Sequence, residues 1–341
     1  VCDDCSHYDP IQKRILIIKL GAMGDVLRTT ALLHQLKTPG VEVTWITKSN
    51  SVPLLQSDYI DRVLEWGHPS LVPALLVETF DAIYSLDNDS DGAALAQLCT
   101  TQARFGYGIN DYGKVYGYSE AATSWLETSI NDTLKKANTR PYQEILFEIC
   151  GLSFDPTRDT IILPSPWATQ RADTIATAWD SSKRHWAVVL GAGPRWPQKS
   201  LALSKLKELL TLLVNNDIEP VLIAGPDEKE KCDTIRSWGI SVVDTGFDNP
   251  ITEVVGILDR CDVVITGDTL SMHIATGLKK RVYAFIGPTS ADELADYGVM
   301  TKLVPDMDCL CCYLTDCPVD KKCNEIVSFD PLIAAETLTP V

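Results

Sequence analysis

Residues 15–25, Ile15-Leu16-Ile17-Ile18-Lys19-Leu20-Gly21-Ala22-Met23-Gly24-Asp25, decide how this chain is read. Four consecutive apolar residues, three of them β-branched, predict a buried parallel strand. Gly21 and Gly24 permit a tight turn and close approach by a ligand. Val26, Leu27, Ala31, Leu32, Leu33 and Leu36 then recur at helical spacing, so a helix is expected to begin around Asp25. Strand, glycine turn and helix place a site at the carboxyl end of a strand in an open α/β sheet. Asp25 has two compatible readings there. It is a favoured N-cap residue, and a carboxylate kept ionised by a helix N-terminus can also act as a base.

Working outward, residues 41–46, 62–65 and 82–86 read as further strands, with a helix over 93–98. Asp87 and Asp89 follow a strand end and read as a solvated loop with an Asx turn. Residues 104–140, rich in Gly, Tyr and Asn, give no clear element, and 142–150 reads as a helix. Pro156, Pro164 and Pro166 mark a linker at about 153–166, followed by a helix over 168–179. A second α/β unit begins at Trp186, with strands at 187–190, 220–224, 240–243, 262–266 and 281–286. Its first helix carries Leu203, Leu206, Leu209, Leu210 and Leu213 on one face. Five strands in βα alternation predict a Rossmann-like domain, and two such domains in tandem are expected to face each other across a cleft. The boundaries are 1–160, 161–328 with a cysteine-rich tail, and 329–341 as a last helix with Asp330 as N-cap and Pro331 at its first position.

The formal net charge of −16 argues against a general nucleic-acid binder but leaves room for a local basic pocket. No apolar run approaches the length of a membrane span, and no secretion signal is read, so a cytoplasmic protein is expected. Of eleven cysteines, Cys99, Cys150, Cys232 and Cys261 are isolated and read as inert core residues. Cys2, Cys5, Cys309, Cys311, Cys312, Cys317 and Cys323 cluster at the two ends, which favours a metal site over disulfides. Four thiolates suit zinc and an iron–sulfur cluster equally.

Three loops are candidates for binding phosphate. In residues 191–200, a glycine turn opening at Gly191 exposes backbone N–H groups, and Arg195 and Lys199 add positive charge. The pattern is neither a Walker loop nor the three-glycine dinucleotide fingerprint. Gly267-Asp268-Thr269-Leu270-Ser271-Met272-His273 joins a strand to a helix whose first-turn N–H groups favour an anion. Gly287-Pro288-Thr289-Ser290 ends the next strand. The turn at Gly225-Pro226-Asp227-Glu228 adds Asp227 to the same end of the sheet. Convergence of these loops on one pocket is stronger than any of them alone.

Residues 15–25, Arg195-Trp196-Pro197, 267–273 and Phe285-Ile286-Gly287-Pro288-Thr289 together resemble glycosyltransferase family 9, the ADP-heptose:lipopolysaccharide heptosyltransferases. The resemblance implies a GT-B fold and an inverting transfer without a catalytic metal. It implies Asp25 as general base, Arg195 or Lys199 on the donor diphosphate, and Asp268, Thr269 and His273 at the diphosphate or sugar. It implies a heptose moved from a nucleotide-diphosphate donor, ADP-heptose being favoured, to a glycolipid or oligosaccharide at the inner face of a membrane. Leu270 stands where many members have Gly, and the terminal cysteines are absent from the best-known members. Two other expectations fit the same residues: a nucleotide-sugar epimerase or hydrolase, and a non-enzymatic, metal-containing nucleotide-sugar-binding protein.

Overall fold

The computed structural model describes residues 10–193, 195–319, 322–329 and 332. The chain divides into two compact units, Val1–Ile161 and Ile162–Val341. The helix read from Asp330 onward falls outside the described residues, as do Cys2 and Cys5.

The first unit runs β1 (Lys13–Ile18), α1 (Met23–Thr29), α2 (Leu33–Leu36), β2 (Val41–Thr47), β3 (Arg62–Glu65), α3 (Leu71–Val77), β4 (Thr79–Ser85), α4 (Ser90–Leu98) and β5 (Thr100–Ile109). It continues with β6 (Val115–Gly117), α5 (Glu120–Ile130), α6 (Asp132–Ala137) and α7 (Tyr142–Ile149). The sheet order is β3-β2-β1-β4-β5-β6, parallel except for the β5–β6 hairpin. β1 lies mid-sheet and is covered on both faces. Ile15 and Ile17 pack with Val26, Leu32, Trp45 and Phe147, while Leu16 and Ile18 pack with Leu71, Leu75 and Leu95. That is why the strand reads as an unbroken apolar run.

The second unit runs α8 (Pro166–Ala176), β7 (Arg184–Val189), α9 (Leu203–Asn215), β8 (Ile218–Ile223), α10 (Lys229–Ser237), β9 (Val243–Asp244) and α11 (Ile251–Arg260). Then come β10 (Val263–Gly267), α12 (Leu270–Gly277), β11 (Arg281–Phe285) and β12 (Met300–Leu303). Its parallel sheet has the order β12-β11-β10-β7-β8-β9. α9 buries Leu206, Leu209, Leu210 and Leu213 as its spacing predicts, but Leu203, at its first position, faces solvent.

The structure corrects several expectations. The second sheet has six strands, because β12 joins its edge after a long loop. The strand expected at 240–243 shrinks to the two-residue pairing of β9 with β8. Residues 104–140 hold the end of β5 and the whole of β6, α5 and α6. Gly113 is a turn residue, but Gly106, Gly108 and Gly117 are sheet positions under tight contact. A Cβ on Gly106 would stand 1.8 Å from the Ser85 carbonyl oxygen, at φ +86°. One on Gly117 would meet the backbone nitrogen of Thr123 at 2.5 Å. Glycine signals a turn from sequence alone, yet at these three positions it permits close packing.

Candidate active site

In the first unit the carboxyl ends of β1 and β4 carry a network of charges. The residue at the α1 cap is Ala22, and its side chain accepts no hydrogen bond, so Asp25 is not the N-cap. It is the third residue of α1, where the free first-turn N–H groups still favour a carboxylate. Its Oδ1 pairs with Arg28 at 2.7 Å, and the Arg28 guanidinium lies over the Tyr142 ring at 3.8 Å. Behind them Lys19 and Asp87, both almost fully buried, form an ion pair at 2.9 Å. Lys19 also donates to the Leu86 carbonyl at 2.9 Å and approaches the Tyr142 hydroxyl at 3.4 Å. The second oxygen of Asp87 accepts the backbone N–H of Leu20. Asp87 therefore clamps the turn that carries Asp25, and a Cβ on Gly21 would press on its Oδ1 at 3.1 Å.

Asp87 is thus a buried partner, not the solvated Asx residue expected. Asp89 does take the local role, accepting the N–H of Gly92 at 3.0 Å to cap α4. Lys19 belongs to no site motif in the sequence, although a charge set in an apolar run, between Ile18 and Leu20, signals a buried partner. Burial alone pushes the Lys19 ammonium down. The oxygens of Tyr142, Asp87 and Asp25 outweigh it and raise the group above its ordinary value.

In the second unit the ends of β7, β8, β10 and β11 converge. Lys199 pairs with Asp268 at 2.5 Å, and Thr289 donates to the same Asp268 oxygen at 2.8 Å. Thr269 occupies the cap position of α12 and shares a hydrogen bond with Thr266 at 3.0 Å. His273, one turn into α12, is buried and lies within electrostatic range of Asp268. Burial pushes the Asp268 carboxyl up, but Lys199, His273 and Thr289 outweigh it and hold it below the ordinary range. The carboxylate favours the folded state above its unfolded pKa of about 3.9, and that contribution fades as pH falls through the lower folded value.

Gly191 belongs to this end of the sheet and lies beneath Glu228, whose Oε2 accepts the N–H of Gly225 at 2.9 Å. Asp227, the carboxylate singled out from sequence, is exposed; the short 3₁₀ turn at 226–228 turns Glu228 inward instead. Arg195 is exposed, its guanidinium 5.7 Å from the Trp196 ring centre, and Ser271 is half-buried in the first turn of α12.

Gly267 has a steric reason. A Cβ there would stand 1.8 Å from the Lys199 carbonyl oxygen, a backbone atom. Gly267→Ala is expected to displace the Lys199 segment and to destabilise the second unit by about 1–3 kcal/mol, the usual cost of overpacking. Thermal unfolding of the two proteins side by side checks it.

The tail cysteines sit near the same loops. Cys309 is exposed, Cys311, Cys312 and Cys317 are half-buried, and Cys323 is buried. Burial, and then the nearby Cys317, Cys312 and Cys309, push the Cys323 thiol up to about 11, against a lowering by the Asn324 N–H. Among the described residues no three His, Cys, Asp or Glu side chains are placed to hold a metal ion. The isolated Cys99, Cys150, Cys232 and Cys261 are buried, as inert core thiols should be.

Residues 69–322 match glycosyltransferase family 9 (heptosyltransferase). The chain belongs to glycosyltransferase family 9. The matched range begins after β3, so the β1–α1 turn with Asp25 lies outside it. No curated protein matches the sequence. Among solved structures, the family 9 glycosyltransferase from Veillonella parvula is 15% identical, covers 97% of this chain and 98% of its own, and has a TM-score of 0.74. The ADP-heptose lipopolysaccharide heptosyltransferase II of E. coli is 16% identical over 86% of this chain and 90% of its own, with a TM-score of 0.65. The iron-containing dodecameric glycosyltransferase TibC of enterotoxigenic E. coli is 12% identical over 96% of this chain and 80% of its own, with a TM-score of 0.59. These likenesses show the GT-B fold. The family 9 chain is a glycosyltransferase, and among its described residues no helix is long and apolar enough to cross a membrane.

Proposed function

We propose that this glycosyltransferase moves a heptose or a related sugar, with inversion, from a nucleotide-diphosphate donor to a lipopolysaccharide-type glycolipid or another glycan. The observation that carries the reading is the cation Lys199, paired with an Asp268 carboxylate that Thr289 also hydrogen-bonds, where the glycine-containing loops after β7, β10 and β11 come together. Transfer breaks the bond between the sugar's C1 and the donor phosphate, so charge develops on the leaving diphosphate. Lys199 and the first-turn N–H groups of α12 are suited to receive it. Asp25 takes the proton of the acceptor hydroxyl as that oxygen bonds to C1 from the opposite face. ADP-heptose is the favoured donor because heptosyltransferase II, which shares the fold, is named for it. No divalent ion is required by this scheme. A glycolipid acceptor implies peripheral contact with the inner face of a membrane.

For the cysteines we propose a structural zinc or iron–sulfur site drawn from Cys2, Cys5, Cys309, Cys311, Cys312, Cys317 and Cys323. Five of these thiols lie in the tail, and since no three of the described side chains are placed to hold a metal ion, such a site calls on ligands outside the described residues. TibC, of the same fold, is iron-containing. Such a group would cross-link the tail and take no part in bond-making.

The donor reading is tested by titrating ADP into the full chain without magnesium. Saturable binding is expected, weakened about tenfold or more in Lys199→Gln, the loss of one charge-assisted hydrogen bond. Absence of binding, or binding indifferent to Lys199, would contradict it.

A further inference from the structure

The cysteine-rich tail does more than follow the last strand. The backbone N–H of Cys311 donates to the Gly287 carbonyl at 3.0 Å, and that of Tyr313 donates to the Pro288 carbonyl at 2.8 Å. The Tyr313 hydroxyl reaches Glu293 at 3.1 Å. The Cys323 thiol packs on Gly287 so closely that a Cβ there would stand 2.5 Å from the sulfur. Next to it, buried Asn324 donates from Nδ2 to the Ser200 carbonyl at 2.9 Å, and its own carbonyl accepts the N–H of Ala202 at 3.2 Å. The tail thus holds two separate loops. One, 287–289, brings Thr289 to Asp268; the other, 199–202, brings Lys199 to the same carboxylate. The 199–202 segment is wedged between Gly267 on one side and Asn324 on the other.

We propose that the tail is a wall of the nucleotide pocket, with Asn324 and Tyr313 as positioning residues that set the affinity for a nucleoside diphosphate. The inference rests on the nucleotide reading of those loops. Neither residue need touch the ligand. Asn324 fixes the segment that carries Lys199, and the backbone pairing at Cys311 and Tyr313 fixes the loop that carries Thr289. Two loops anchored to one tail segment hold the Lys199–Asp268–Thr289 arrangement in register before ligand arrives, which removes an ordering cost from binding.

The test uses the full chain and ADP as probe, with Asn324→Ala compared with Val327→Ala. Val327 is a buried tail residue of the hydrophobic core that serves as a control for general destabilisation. The expected result is an ADP Kd about tenfold weaker in Asn324→Ala, the loss of one positioning hydrogen bond. Amide exchange should accelerate at 199–202, the segment Asn324 holds, and stay unchanged at Gly287 and Thr289, whose loop is held by the backbone of Cys311 and Tyr313. Val327→Ala should lower the melting temperature with ADP affinity kept. Unchanged affinity and exchange in Asn324→Ala would overturn the proposal, as would an equal loss of affinity in Val327→Ala. Should the native chain bind no ADP, the donor reading fails by itself. Exchange at 199–202 in Asn324→Ala still decides whether the tail holds that segment: acceleration supports the wall, and no change overturns it.

Discussion

Asp25→Asn is expected to lower acceptor-dependent turnover by about 10²–10⁴-fold, the usual worth of a positioned general base. Asn keeps the size of Asp and its place in the first turn of α1, so the loop should fold as before. What is lost is the proton acceptor, and with it one half of the Arg28 ion pair. Because a base acts only as the hydroxyl is deprotonated, the loss should fall on kcat, with ADP affinity almost unchanged. Steady-state kinetics with an acceptor extract, and an ADP titration of the same protein, separate the two quantities. A variant that keeps its kcat removes Asp25 from the chemistry.

Lys19→Met is expected to carry the largest stability effect. It leaves the Asp87 carboxylate buried beside an apolar side chain, with only the Leu20 N–H on its other oxygen. Removing one partner of a buried pair costs about 3–5 kcal/mol. For a unit of this size that is a fall of about 6–20 °C in melting temperature. The double variant Lys19→Met/Asp87→Leu should recover much of it, since neither charge is then left unpaired. Activity should not return with stability, because Asp87 also clamps the turn that carries Asp25. The pH dependence has a definite sign. The Lys19 pKa is raised on folding, so its stabilisation is fully present below the unfolded value of about 10.4. It is lost only as pH rises through the still higher folded value. Thermal unfolding of native, single and double variants at neutral and alkaline pH reads all three expectations.

Much of this architecture was legible in the sequence, for physical reasons. A strand buried on both faces must be apolar throughout, so β1 announces itself. α11 spans 251–260, where its apolar spacing and the preceding Pro250 bound it tightly. The glycine-containing loops at strand ends were visible too, since only glycine tolerates contacts such as that of Gly267 with Lys199. What escaped was set by long-range packing. Lys19 and Asp87 follow different strands, β1 and β4, and nothing local tells a buried carboxylate from the capping Asp89 two residues on. Asp227 and Glu228 are adjacent carboxylates, and only the sense of the turn decides which faces Gly191. The hold of Asn324 on Ser200 spans 124 positions and has no sequence signature at all.

The most direct test of the account is nucleotide release from ADP-heptose by the native chain and by Asp25→Asn, with and without a glycolipid acceptor extract. The account predicts release by the native protein that depends on acceptor and nearly vanishes in the variant. Release that is equal without acceptor, or equal in the two proteins, would contradict it.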